Sequence, residues 1–139
     1  MEPQNAPTQD ERTMAMLAHV LQMFGGFIAP LIIFLVRRDS PFVKFHSLQA
    51  LTWKLVEMVI IFGGVILFAS VMILSIGFHP KDPAPPGVVF LFPFIWLFVM
   101  MSWVINLVIA IYFGIKSYEG QWARYPIIGN LVRTWTGMQ

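Results

Sequence analysis

Ser40-Pro-Phe-Val-Lys-Phe-His-Ser-Leu-Gln-Ala-Leu-Thr-Trp-Lys54 is a long segment that mixes charge, histidine, amide and aromatic side chains, with an uninterrupted apolar run on either side. Ser40 suits a helix cap and Pro41 the first helical turn. Phe42, Phe45, Leu48 and Trp53 then alternate with Lys44, His46, Gln49 and Lys54 in a roughly helical rhythm. The pattern predicts an amphipathic helix over 41–54 at the boundary of lipid and water, its rings in the headgroup layer and its lysines reaching water or anionic lipid. His46 and Gln49, three residues apart, share one face. Their expected role is hydrogen bonding to a neighbouring helix or to the C-terminal tail, because a metal site would need ligands that the local sequence does not supply.

Composition extends this reading to the whole chain. Of 139 residues 58% are hydrophobic and 12% charged, against about 45–50% and about 25% in soluble domains. A water-soluble fold of this size could not hide so much apolar surface. The net charge is +2, but the cations flank apolar runs and do not form a nucleic-acid face, so the basic balance reads as membrane topology and no nucleic-acid partner is expected. The chain has no cysteine, which excludes disulfides, thiolate metal sites and cysteine nucleophiles. No nucleophile and base, metal-ligand cluster or phosphate loop stands at a usable spacing, so neither an enzyme nor a cofactor or metal site is expected.

Three apolar runs, about 14–36, 55–78 and 88–115, are each long enough for a core about 30 Å thick at about 1.5 Å per residue. The expected fold is an all-α membrane protein with three transmembrane helices. The amphipathic helix precedes the second span, and a short interfacial segment, Ile127 to Trp135, follows the third. Residues 1–13 read as a polar disordered tail, 14–128 as the transmembrane domain and 129–139 as the C-terminal tail. Pro30 is expected to kink the first span and Pro93 the third. His79 to Gly87, rich in proline, reads as a stiff loop.

Each span carries a stripe that could contact other membrane helices. In the first, Ala15, Ala18, Gln22, Gly25, Gly26 and Ala29 recur at spacings of three and four. In the second, Gly63, Ser70 and Gly77 recur every seven residues, and in the third Ser102, Asn106, Ala110 and Gly114 every four. His19 and Gln22 are expected to hydrogen-bond across a helix interface, and the sharper reading makes His19 a proton or ion site. Glu57 follows Lys54 by three residues, so a local ion pair is expected; buried, it would be an ionisable site able to exchange protons. With three spans, seven Lys and Arg fall in the first loop and the tail, and two on the other side. That count predicts an outside N-terminus and a cytoplasmic C-terminus in the cell membrane.

Leu17-Ala-His19, Ser40 through Leu51, and Gly120 with Arg124-Tyr125-Pro126 together resemble a widespread bacterial membrane-protein family similar to the chloroplast inner-envelope protein-import component. The resemblance covers about Met14 to Ile128. It implies a membrane protein that assembles with others, and through the plastid relative a part in protein translocation. The chain offers three spans where that relative has four. The expected function is therefore an accessory or structural subunit of a larger membrane complex, with partner or helix contacts among the stripe residues, His46, Gln49 and Tyr125. The alternative is a small transporter or channel component acting as a homo-oligomer, with His19, Gln22, Glu57 and Asn106 as its polar groups.

Overall fold

The computed structural model describes residues 6–78 and 86–136, and the regular elements among them are all helices. The elements are α1 (Gln9–Gly25), α2 (Ile28–Val36), α3 (Pro41–Phe78), α4 (Pro86–Tyr118) and α5 (Gly129–Thr136). Residues 1–5, most of the proline-rich loop (79–85) and 137–139 lie outside this description. The chain divides into two compact units, Met1–Leu55 with Asn106–Gln139, and Val56–Ile105.

The first apolar run does not form a single span. α1 ends at Gly25, and Gly26 takes φ +55°, a conformation that costs a residue with a Cβ but not glycine. α2 then turns back, and the Arg37 guanidinium at its end pairs with the Asp10 carboxylate at the start of α1. The run is thus a helical hairpin, and among the described residues two helices, not three, are long and apolar enough to cross a membrane: Pro41–Ser75 and Phe90–Tyr118. The outside N-terminus was counted on three spans and loses that premise. Pro30 occupies the first turn of α2, where a backbone N–H has no intrahelical acceptor in any case. The break therefore comes at Gly26 and not at the proline.

α1 also starts earlier than the expected disordered tail allows. Thr8 caps it: the Glu11 amide donates to the Thr8 hydroxyl, and the Glu11 carboxylate accepts from the Thr8 amide at 2.8 Å. Ser40 caps α3 by accepting from the Val43 amide at 3.2 Å and donates to Glu11 Oε1 at 2.6 Å. That hydroxyl, and then the Thr8 amide, hold Glu11 below the usual carboxylate range. The segment 41–54 is not a separate interfacial helix but the opening of α3, where Phe42, Val43, Phe45, His46, Ser47, Gln49 and Ala50 are buried.

In the first unit α1 lies along the end of α4. Gln9 donates to the Tyr118 hydroxyl at 3.0 Å, and a Cβ on Gly114 would stand 3.3 Å from Val20 Cγ2. α4 ends in a Schellman turn, with Gly120 N donating to Ser117 O and Gln121 N to Lys116 O. Gly120 supplies the positive φ of +80° and lies against the Arg12 guanidinium. Beyond it, residues 121–125 run without helix and α5 buries Val132, while Phe113, Tyr125 and Ile128 form a core flanked by Trp53, Ile109 and Ala123. In the second unit the side chains are mostly apolar and exposed, Val59 and Leu67 among them. A groove there is lined by Ile61, Gly64, Val65, Leu91, Phe94 and Phe98.

Glycines in the two units predict opposite responses. A Cβ at Gly129 would meet Arg124 Cβ at 2.7 Å and Gln49 Oε1 at 3.1 Å, whereas one at Gly63 meets nothing within 4 Å. Gly129→Ala is expected to lower unfolding stability in detergent by about 1–3 kcal/mol, and Gly63→Ala to be neutral or stabilising by up to about 1 kcal/mol. Equal behaviour of the two variants in thermal unfolding would contradict this packing.

Candidate functional site

The opening turns of α3 face the extended stretch after α4. Gln49 Nε2 donates to the Ala123 carbonyl at 3.1 Å, and Gln49 Oε1 accepts from the Tyr125 amide at 2.8 Å, so one side-chain amide satisfies both backbone groups flanking Arg124. One helical turn earlier, His46 Nε2 stands 3.1 Å from the Gln121 carbonyl. Trp122 packs on Phe42 and Phe45 from the same stretch. Where this loop backbone turns from water, these α3 side chains supply its partners.

The clamp fixes Tyr125, and its hydroxyl reaches α1. It lies 2.8 Å from His19 Nδ1 and 3.2 Å from Gln22 Nε2, while His19 Nε2 lies 3.0 Å from His46 Nδ1. All four side chains, and Gln49 with them, are buried. The terminal carbonyl determines the direction of this chain when both imidazoles are neutral. A carbonyl only accepts, so His46 Nε2–H donates to Gln121 O and His46 Nδ1 accepts. His19 Nε2–H then donates to it, His19 Nδ1 accepts from the Tyr125 O–H, and Gln22 Nε2–H donates to the Tyr125 oxygen. Every hydrogen points the same way. Burial pushes the Tyr125 phenol up, above its ordinary pKa range, so it keeps its proton and stays a donor. Among the described residues Gln22 Oε1 is the buried side-chain atom without a partner.

The structure thus brings together His19, Gln22, His46, Gln49 and Tyr125 in one cluster. Asn106 accepts from Trp53 Nε1 at 3.0 Å in the same unit. Ala110 and Gly114 are buried against their own chain, Gly114 under Met16 and Val20. Ser102 donates to Glu57 at 3.2 Å in the second unit, where Gly63 and Ser70 are exposed. Sequence reasoning missed Glu11, which ties the starts of α1 and α3. The Thr8-x-x-Glu11 capping signature before an apolar run was the available signal. The carbonyls of Gln121 and Ala123 carry no such signal. Among the described residues no three His, Asp or Glu side chains gather as metal ligands.

The hydrogen-bond chain generates two predictions. Tyr125→Phe removes the partner of His19 Nδ1 and of Gln22 Nε2, at an expected cost of about 1–3 kcal/mol per stranded group, read by thermal unfolding. In the intact protein, 15N NMR at neutral pH should show Nε2–H tautomers for His19 and His46, and Nδ1–H on either ring would reverse the assigned direction.

Comparison with known proteins agrees with the membrane reading. The chain is 26% identical over 121 residues to a UPF0132 membrane protein of Archaeoglobus fulgidus, covering 87% of this chain and 94% of that one. It is 25% identical over 114 residues to a UPF0132 membrane protein of Methanocaldococcus jannaschii, covering 80% and 78%. No solved structure matches. Neither description speaks of protein translocation, so the plastid likeness is narrowed to membership of a membrane-protein family. A family model matches residues 10–132, from the first turn of α1 to the last buried residue of α5. The chain therefore belongs to the magnetosome magnetite crystal formation protein family.

Proposed function

We propose that the protein is an integral membrane subunit whose work is structural, holding other membrane helices against α3 and α4 in a larger assembly. The observation that carries this reading is the contrast between the two units. In the first, His19, His46 and Tyr125 are bonded within the chain, and none of the three is left as an exposed nucleophile or base. In the second, apolar side chains stand exposed along a groove beside Gly64, where a Cβ would meet nothing within 4 Å. Such small-residue faces let a second helix approach closely.

Orientation follows from the same reading. With α3 and α4 as the spans, both termini lie on one side together with eight of the nine Lys and Arg, and Lys81 lies in the connection between spans. The charge rule places the termini in the cytoplasm. A role in organising a mineral-forming membrane, taken from the family's description, is one form of this function, and a part in protein translocation, taken from the plastid likeness, is another. Both require partners. A transporter reading rests on the Glu57 carboxylate held by Ser102 within the spanning segments.

Purification of the tagged protein from its native membranes in mild detergent, with intact mass and identification of what travels with it, tests the proposal. A stoichiometric complex is expected. A Gly63→Leu, Gly64→Leu double variant should weaken it at least tenfold, about 1.4 kcal/mol, while leaving the unfolding temperature of the monomer unchanged. Unchanged complex size in the double variant would count against the assembly role. Ion or substrate flux in proteoliposomes that Glu57→Gln abolishes would favour transport.

A further inference from the structure

The α1–α2 hairpin poses a question that the spans leave open: what covers its apolar tip and outer face. We infer that it is a re-entrant wedge, inserted among the acyl chains of one leaflet without crossing the bilayer. The inference rests on the reading of α3 and α4 as spans.

Four observations lead to it. The ends of the hairpin lie at one level: Asp10 pairs with Arg37, and Ser40 donates to Glu11. That level is polar, because Gln9 meets the Tyr118 hydroxyl two residues beyond Lys116, and Arg12 lies against Gly120. From Met14 to Gly25 the apolar part of α1 rises about 17 Å, and the nine residues of α2 about 13 Å. These match half of a hydrocarbon core about 30 Å thick and are too short for all of it. The tip and the outer face of α2 are apolar and bare, with Phe24 88% exposed and Ile28, Ile32, Leu35 and Val36 also exposed. These four α2 residues fall at spacings of four, three and one, which is a single helix face.

The turn itself suits lipid. It spans only Gly26 and Phe27, and the Leu31 amide is taken by the Phe27 carbonyl. Pro30 stands at the third position of α2, so one of the unbonded first-turn N–H groups does not exist there. Fewer bare backbone groups mean less cost in a medium without water. The polar residues of α1 beyond Thr13, His19 and Gln22, face inward to Tyr125 and leave the outer side to hydrocarbon.

The chain lacks cysteine, so single-cysteine variants test this cleanly in sealed phosphatidylcholine and phosphatidylglycerol vesicles. A bimane probe on Phe24→Cys should be quenched more by nitroxide lipids labelled deep in the chain than by headgroup labels. Phe24→Cys should resist a membrane-impermeant maleimide from both sides until detergent is added. Ala6→Cys and Arg38→Cys should both react from the same side. Reaction of Ala6→Cys and Arg38→Cys from opposite sides would make the run a true span. Reaction of Phe24→Cys in intact vesicles would place the tip in water, and absence of lipid quenching would mean that protein covers it; each of these overturns the wedge. Failure of the membrane reading itself is distinct, since the protein would then be released from membranes by alkaline carbonate.

Discussion

The extended stretch from Gln121 to Tyr125 sets the central constraint of the packed unit. It is not helical, and the backbone groups that it turns towards α3 are partly withdrawn from water at Gln121 and Ala123 and buried at Tyr125, so each gains from a donor or acceptor on α3. α3 supplies them with His46 and Gln49. Once the stretch is held, Tyr125 has one place to go, and its hydroxyl becomes the partner of His19 and Gln22 on α1. The position of α1, and with it the return of α2 to Asp10, is tied to this stretch through Tyr125.

Buried polar chains of this kind act by excluding alternatives. In a membrane-adjacent setting one such hydrogen bond adds only about 0.6–2 kcal/mol, but a donor or acceptor left bare loses more than it gained. The His19–His46 contact would set two nitrogens of the same type against each other if either ring carried the wrong tautomer. One carbonyl, that of Gln121, removes that ambiguity for the whole row. The cluster is therefore rigid because its directions are fixed from one end, and α1, α3 and the C-terminal stretch are locked to a single register.

Much of this was legible in the residues. Ser40 and Pro41 announced the start of α3, and the spacing of His46 and Gln49 placed them on one face. Alternation of Phe and Lys across 41–54 was misread because an amphipathic helix on a membrane surface and one with its apolar face in a protein core have the same pattern. Phe42, Val43 and Phe45 pack inside the unit, and the helix continues without a break into the span. The capping pair Thr8 and Glu11 was present in the sequence and was passed over because the preceding residues are polar. Tyr125 was marked by resemblance alone, since nothing local shows that a tyrosine 106 residues from His19 will meet it.

Length and small residues misled for a more general reason. An apolar run of 23 residues is compatible with one helix across a bilayer or with two half-length helices that turn back, and hydropathy is the same in both. The difference lies in the ends: a span separates its flanking charges by the thickness of the membrane, whereas a hairpin brings them together. Asp10 and Arg37 have opposite signs and are adjacent in space, so the run is folded back on itself. Glycine is equally silent about its use. At Gly114 the missing Cβ admits Val20 and Met16 from the same chain, and at Gly63 and Gly64 it opens onto empty space. The first glycine is spent on the fold, which leaves the other two as the places where another molecule could come as close.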